Sequence, residues 1–323
     1  MKKAIKKMLP PFVLQLWRLF KACIIRKGRQ IIEKSGFNIS RVVDFYSPLP
    51  VESRIKKNVK RWNKPGSMAG ITYNIESYKT LLEDLLSRYR DEFKALPDYE
   101  KNRTAGYGPG YPEVDALILY MMIRNIKPAR YFEVGCGLST YYSSLAAEEN
   151  GRNGNPLKIK CIEPNPFDRL YSIQNIEIIR DEVQNMDKEL FLELEENDIL
   201  FIDSSHVVKI DGEVPFIYLE ILPLLKKGVI VHIHNVSFPY NIPYPPDIFI
   251  LGNRKNSFTW PVYWTEAMLL QAFLAFNDTY EILMSVPLIR YYDEKFLRNN
   301  ISQYTSIEKE PFGSSSIWLR RVK

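Results

Sequence analysis

The chain has 323 residues, 46% of them hydrophobic, which suits one large domain with an extension or two small ones. Its three cysteines, Cys23, Cys136 and Cys161, are odd in number and lack metal-type spacing with histidine, which argues against a disulfide framework and for a reducing compartment. The net charge of +6 is concentrated: residues 1–36 carry ten Lys or Arg against one acid, Glu33, so this segment is +9, the remainder is −3, and no nucleic-acid partner is expected from so local a charge.

The Lys-rich start and the apolar run Leu9–Trp17 invite a signal-peptide reading. Pro10 and Pro11 break the run, Arg18 and Lys21 follow at once, and no small-residue cleavage site is present. A membrane span needs about 20 apolar residues, and this run is far shorter. What remains is an amphipathic helix over Phe12–Glu33, with Val13, Leu16, Trp17, Phe20 and Ile24 at helical spacing. Such a helix either lies on an anionic membrane or packs on the domain. Residues 37–66 read as irregular, broken by Pro48, Pro50 and Pro65. Their basic run around Trp62 (Arg54, Lys56, Lys57, Lys60, Arg61, Lys64) is a solvated linker or a phosphate contact.

Tyr78, Leu81, Leu82, Leu85 and Leu86 predict a helix over 75–95. The turn-rich 106–112 then launches a helix over Glu113–Arg124, whose early acids Glu113 and Asp115 suit a helix N-terminus. From there strands alternate with helices: strands at 130–134, 158–162, 176–180, 198–203 and 228–234, helices at 139–149, 166–173, 187–194 and 213–225. A helix Thr265–Asn277 follows, then strands at 279–285 and 315–321 with no helix expected between them, which predicts an antiparallel hairpin at one edge. Alternation of this kind means a parallel sheet covered on both faces.

Residues 131–140, Tyr-Phe-Glu-Val-Gly-Cys-Gly-Leu-Ser-Thr, form an apolar strand ending in a glycine turn that opens a helix. One helix later, Lys158–Glu163 is a second apolar run closed by a carboxylate. Open α/β sheets bind adenosine cofactors at such a pair of strand ends, with the acid on the ribose. A dinucleotide fingerprint needs a third glycine at position 140, where this chain has Thr, and Glu133 would crowd a pyrophosphate while suiting a cationic amino-acid end. The Glu-x-Gly-x-Gly pattern resembles the first motif of class I S-adenosylmethionine-dependent methyltransferases. That resemblance implies an α/β fold with a doubly wound, seven-stranded, mostly parallel sheet, here behind an N-terminal helical, basic extension. The expected organisation is a basic segment at 1–36, a linker and helical accessory region at 37–104 and a methyltransferase domain at 105–323. S-adenosylmethionine would lie with its methionine part at Glu133, Gly135 and Gly137 and its ribose on Glu163. Ser139 or Thr140 would face it or cap the helix, and Val183 and Gln184 would flank the adenine.

All three histidines, His206, His232 and His234, fall at or just past the ends of two predicted strands, where such sheets place ligands. His232 lies deepest in its strand and reads as core. The segment Asn197–His206, containing Asp-Ile-Leu-Phe-Ile-Asp-Ser-Ser-His, and the later His232-Ile-His-Asn235 resemble a group of bacterial methyltransferases of natural-product and surface-polysaccharide pathways. The likeness covers about residues 105–285. Asp203 with His206 also looks like the pattern of catechol-type O-methyltransferases, in which a strand-tip Asp holds a metal and a base stands three residues on. The resemblance therefore implies Asp203, His206 and His234 as catalytic residues. The departure is Asn235, where the group has Asp. Asp203, His234 and Asn235 would be the ligands of any divalent metal, a poor set for magnesium, which prefers carboxylates and water; the alternative is a histidine base acting alone. Asn235, Tyr240 and Trp264 are the expected acceptor contacts, with Tyr244 and Trp260 adding aromatic walls suited to sugar rings.

The expected function is O-methylation of a sugar or glycan precursor by a histidine base, in the cytoplasm and peripherally on the inner membrane face. The alternatives are an NAD-type oxidoreductase and a membrane-associated scaffold that keeps the fold without turnover.

Overall fold

The computed structural model describes residues 11–37, 46–108, 110–253, 258, 260–307, 309 and 313–323. The chain divides into two units, Met1–Val59 and Lys60–Lys323. In the first, helix α1 spans Pro11–Lys34, over the predicted amphipathic stretch. Phe12, Leu16, Leu19, Phe20, Ile24 and Ile31 are exposed on it. The predicted face also names Val13 and Trp17, whose side chains, like residues 1–10, lie outside the described part. Residues Glu52–Lys57, read as irregular, form a short helix with Lys56 bonded to Glu52.

The second unit is built on seven strands: β1 Arg130–Val134, β2 Lys158–Ile162, β3 Ile176–Ile179, β4 Ile199–Ile202, β5 Ile230–Ile233, β6 Tyr280–Ser285 and β7 Ile317–Arg321. Their order is β3-β2-β1-β4-β5-β7-β6. The first five are mutually parallel, and β7 runs antiparallel to both β5 and β6. The doubly wound, mostly parallel sheet is thus present. Parallel strands are covered on both faces and so read as unbroken apolar runs; every residue of β4 and β5 is buried. Asp198, just before β4, locks the opposite end of the sheet. Its carboxylate accepts the Ala129 and Arg130 N–H groups at 3.0 and 2.7 Å and pairs with the Arg130 guanidinium at 3.0 Å.

The longer helices of this unit are α2 Ile75–Lys94, α3 Glu113–Ile126, α4 Leu138–Arg152, α5 Glu266–Leu274 and α6 Val286–Asn300. Helix α3 is apolar nearly all round, and every residue from Val114 to Arg124 is buried, as expected of a helix in the core. Helix α2, expected in an accessory region, packs on α3 through Glu92, which bonds Tyr120 and Arg124 at 2.5 Å, and belongs to the same compact unit.

Three expectations change. The stretches 166–173 and 187–194 form only 3₁₀ turns, Asp168–Ser172 and Lys188–Glu193, because so short a segment gains too few bonds to offset α-helix nucleation. The predicted helix over 213–225 is an α-turn, a wide π-turn over Ile217–Ile221 and a 3₁₀ turn at Pro223. The late strands do pair antiparallel at one edge, as expected, with β7 between β5 and β6, but α6 joins them in place of a tight turn, with Pro287 at its start and Val286, Leu288, Ile289, Phe296 and Leu297 buried.

His232 is core, as read. Its ring lies between Phe201 at 4.2 Å and Trp318 at 3.8 Å, nearly parallel to both, and neither ring nitrogen has a hydrogen-bond partner. Burial, reinforced by His234, drives its pKa well below the usual value, so it is neutral. Deleting this ring in His232→Ala is expected to cost about 3–5 kcal/mol. His232→Phe keeps the stack and removes two unsatisfied nitrogens, so it should be neutral or stabilising by about 1–3 kcal/mol. Urea unfolding checks both; a large loss in His232→Phe would show that the nitrogens are paired.

Candidate functional site

The carboxyl ends of β1, β2, β4 and β5 open into a cavity of about 630 Å³, within the size range of ligand pockets. Gly135, Cys136, Gly137 and Ser139 line it after β1, Glu163 after β2, Asp203 after β4 and Asn235 after β5. Tyr99, Arg103, Gly108, Tyr111 and Phe167 close one side, and Phe258 and Trp264 also line it. The sequence reading missed Tyr99 to Tyr111 because nothing local marks a loop as a cavity wall.

The glycine turn is held by its neighbours. Gly135 N–H bonds Ile162 O at 3.0 Å, and Asp203 N–H bonds Val134 O at 2.9 Å. Gly135 has φ +81°, and a Cβ there would lie 2.0 Å from the Asp203 carbonyl. Its glycine requirement thus comes from the tip of β4 rather than from a ligand. Gly137 differs: its extended φ of −174° suits any residue, and the nearest atom to a Cβ would be Tyr107 O at 3.6 Å. Thr140 accepts the Gly137 N–H at 3.1 Å, the helix-start role anticipated for Ser139 or Thr140.

Ser139 instead donates to Glu133 Oε1 at 2.5 Å. Glu133 is fully buried behind the turn, and burial raises its pKa to about 8, so at neutral pH it is protonated rather than poised as an anion. Glu163 lines the cavity while accepting the Asn165 N–H at 2.8 Å. Val183 is buried, and neither it nor Gln184, which bonds Glu182, is part of the cavity lining.

The tip of β4 carries a chain of alternating acids and imidazoles. Asp203 Oδ1 lies 3.4 Å from His206 Nε2 and 3.2 Å from His234 Nδ1. His206 Nδ1 reaches Glu266 Oε2 at 2.7 Å. On the other side His234 Nε2 meets Ser315 Oγ at 3.2 Å and Asp115 Oδ2 at 3.5 Å. Asp115 in turn accepts the Ser314 and Ser315 N–H groups and the Ser316 hydroxyl. The acid predicted to complement its own helix end therefore holds the entry to β7. Trp264 stands edge-on to His206 at 4.8 Å, and Tyr111 tilts over His234 at 4.7 Å. Left-handed backbone at His206 (φ +59°) and Asn235 (φ +57°) turns these strand ends into the site.

Burial opposes charge on both imidazoles, but the carboxylates outweigh it. Bonds to Asp203 and Glu266 raise His206 to about 9; the charge of Asp203 and the bond to Asp115 raise His234 to about 10. Burial alone would raise Asp203; His234 and His206 prevail and hold its carboxyl well below the usual range. Both imidazoles are thus protonated at neutral pH. The free histidine base expected at His206 is not what this geometry supplies, and both ring nitrogens of His234 already face polar partners, Asp203 Oδ1 and Ser315 Oγ. Among the described residues no group of three or more His, Cys, Asp or Glu is arranged to hold a metal ion. Asp203 and Asn235 alone are a poor fit to one.

Of the expected acceptor contacts, Asn235 and Trp264 line the cavity. Tyr240 does not; it stacks on Tyr244 at 3.9 Å and lines a separate, smaller cavity, because the loop after β5 turns toward α6. Trp260 is exposed. Glu266 is the residue that sequence reading missed most plainly, being 60 residues from His206.

Residues 132–236 match the family model described as a methyltransferase domain. A protein of Archaeoglobus fulgidus described as uncharacterized is 30% identical over 188 residues, 55% of this chain and 83% of that protein. Residues 132–236 thus carry a methyltransferase domain. Solved methyltransferases that resemble it include the SAH-bound PaMTH1 of Podospora anserina, at 17% identity and a TM-score of 0.37, covering 86% of this chain and 99% of that one. The O-methyltransferase of Bacillus cereus in complex with SAH is 12% identical with a TM-score of 0.41, covering 77% and 100%. The methyltransferase fold of this chain is read from its own strand order.

The two glycines of the methyltransferase turn should respond differently. Gly135→Ala is expected to destabilise the protein strongly, through both its positive φ and the clash with Asp203. Gly137→Val should leave the melting temperature within a few degrees while placing a side chain in the cavity. Thermal unfolding and calorimetry with S-adenosylhomocysteine check this pair. Equal melting losses would refute the distinction.

Proposed function

We propose that the protein transfers a methyl group from S-adenosylmethionine to a hydroxyl of a sugar or glycan precursor, with Asp203 accepting the hydroxyl proton. The observation that carries this reading is the array of acids and imidazoles behind Asp203, which lines the cavity. Three carboxylates (Asp115, Asp203, Glu266) and two imidazoliums (His206, His234) sum to −1. Both histidines approach Asp203 Oδ1; Oδ2 makes no hydrogen bond among the described residues, and 23% of the side chain is exposed. That oxygen is placed to take an acceptor hydroxyl.

In methyl transfer the hydroxyl oxygen attacks the methyl carbon in line, the carbon–sulfur bond breaks, and its electron pair stays on sulfur. The sulfonium charge vanishes as the thioether forms, and the hydroxyl proton enters the cluster. Cluster and donor begin at −1 and +1 and both end neutral, so the buried site loses separated charge as the reaction proceeds. His206 and His234 are positioning residues here: they fix Asp203 and share the arriving proton, and Glu266 and Asp115 anchor them from behind. The histidine base expected from the sequence is replaced by a carboxylate held between two histidines.

The same geometry supports a seat for the donor. The amide groups at the start of α4 lack intrahelical partners and suit the methionine carboxylate. Glu163, at the next strand tip, suits the ribose hydroxyls. Trp264 and Tyr111 offer aromatic faces beside Asp203 and Asn235. The missing third glycine argues against a dinucleotide.

Asp203→Asn should lower turnover by roughly 10²–10⁴-fold, as loss of a positioned base does, with little change in S-adenosylhomocysteine affinity. Glu163→Ala should weaken that affinity by about 1–3 kcal/mol. Calorimetry and single-turnover assays over a panel of sugar acceptors decide between the readings. NAD binding in place of S-adenosylmethionine would end the proposal; cofactor binding without turnover on any acceptor would favour the scaffold.

We also infer that the basic extension seats the protein on an anionic bilayer. Support comes from the exposed Phe12, Leu16, Leu19, Phe20 and Ile24 of α1 together with the +9 charge of residues 1–36. No helix among the described residues is long and apolar enough to cross a membrane. Each basic residue near such a surface contributes about 1 kcal/mol, and salt screens it. Co-sedimentation with phosphatidylserine vesicles should be lost on deleting residues 1–36 and should fall in high salt. Equal sedimentation of the truncated protein would refute it.

A further inference from the structure

A second cavity, of about 200 Å³, lies further along the same carboxyl edge of the sheet. β6 is parallel to β5, since both run antiparallel to β7, so the loop after β5 and the start of α6 emerge on one side. Those two segments form its walls, chiefly Tyr240, Tyr244, Pro287, Arg290, Tyr291 and Glu294. Tyr240 and Tyr244 stack at 3.9 Å, and Tyr291 meets Tyr240 edge-on at 6.2 Å. Only two residues separate Asn235, in the first cavity, from Phe238, in the second. That is a span of about 10 Å at most.

The cavity holds one cation and one acid, Arg290 and Glu294, and among the described residues the two do not pair with each other. Arg290 Nη1 donates to the carbonyls of Gly313 and Ser314 at 3.0 and 3.1 Å. Among the described residues no carboxylate oxygen lies within 4 Å of its guanidinium nitrogens. Glu294 is turned elsewhere, to Arg298 and to the Tyr304 hydroxyl, each at 2.9 Å. Burial lowers the Arg290 pKa from its ordinary value. A guanidinium is a planar fork that matches carboxylate and phosphate oxygens. The tyrosine rings beside it suit a ring face, and the volume is too small for a whole ligand but sufficient for one substituent.

We infer that this second cavity takes an anionic group, carboxylate or phosphate, carried on the acceptor, with Arg290 as its partner and the tyrosines against the adjoining sugar ring. The acceptor would then be a charged sugar, held by its anion near α6 while a hydroxyl reaches Asp203. This deepens the methyl-transfer reading and rests on it for the role of acceptor.

The test titrates the full chain with D-glucuronate, D-glucose 6-phosphate and uncharged D-glucose, followed by NMR. At least one charged sugar should bind ten or more times tighter than glucose, and which one does so tells carboxylate from phosphate. Arg290→Gln should erase that preference while S-adenosylhomocysteine affinity stays within twofold. Equal binding of all three sugars, or a preference unchanged in Arg290→Gln, overturns the inference. Arg290 also holds Gly313 and Ser314, so if that variant fails to fold, Tyr291→Ala decides: a weakening of threefold or more for the charged sugar supports the site, and unchanged binding overturns it. S-adenosylhomocysteine binding is read on the same samples. A protein that binds charged sugars through Arg290 but no cofactor keeps the anion site and ends the methyl-transfer reading.

Discussion

One oxygen organises this protein: Asp203 Oδ1, approached by His206 at 3.4 Å and His234 at 3.2 Å. Burial alone favours the neutral ring, and Asp203, together with Glu266 on His206 and Asp115 on His234, raises both imidazoles above their usual value. The two imidazoles in turn hold the Asp203 carboxyl below its usual range. Glu266 and Asp115 close the array at its two ends. Each outer acid belongs to a different part of the chain, so the cluster ties α3, the tips of β4 and β5, the entry to β7 and α5 into one arrangement.

The backbone beneath this cluster is equally constrained. The Asp203 carbonyl sits where a Cβ on Gly135 would be, so the turn after β1 and the tip of β4 approach as closely as two backbones can. That contact sets the floor of the cavity. It leaves Gly137 lining the cavity at the start of α4. The two glycines look equivalent in the motif, yet one serves packing and the other the cavity.

Much was legible from residues alone. The five parallel strands declare themselves as short apolar runs, and all seven strands begin within two residues of their expected starts, β1 and β2 coinciding throughout. Helix α2 shows its period through Leu82, Leu85 and Leu86. His232 was separable from His234 because it lies one pleat deeper in an apolar strand. What stayed hidden was α6: its kink at Asp293 and its paired tyrosines mask the helical period, so β6 and β7, which do pair, looked joined by a turn alone. The roles of Glu266, Asp115 and Arg290 were hidden for another reason. Each acts on partners that are remote in sequence or reached through a loop whose path no local pattern encodes.

The sequence by itself determined the α/β class, the glycine turn with its acid, and the gathering of Asp203, His206, His234 and Asn235 at strand ends, because apolar periodicity and turn chemistry are local. It also determined the +9 extension. Only the tertiary structure decided which of these groups carry charge. Protonation depends on what stands within about 4 Å in a water-poor site, and those neighbours include Asp203, 31 residues from His234, and Glu266, 60 residues from His206. The same folding turned a histidine expected to act as a free base into a protonated support for a carboxylate, and moved Tyr240 from one cavity to another.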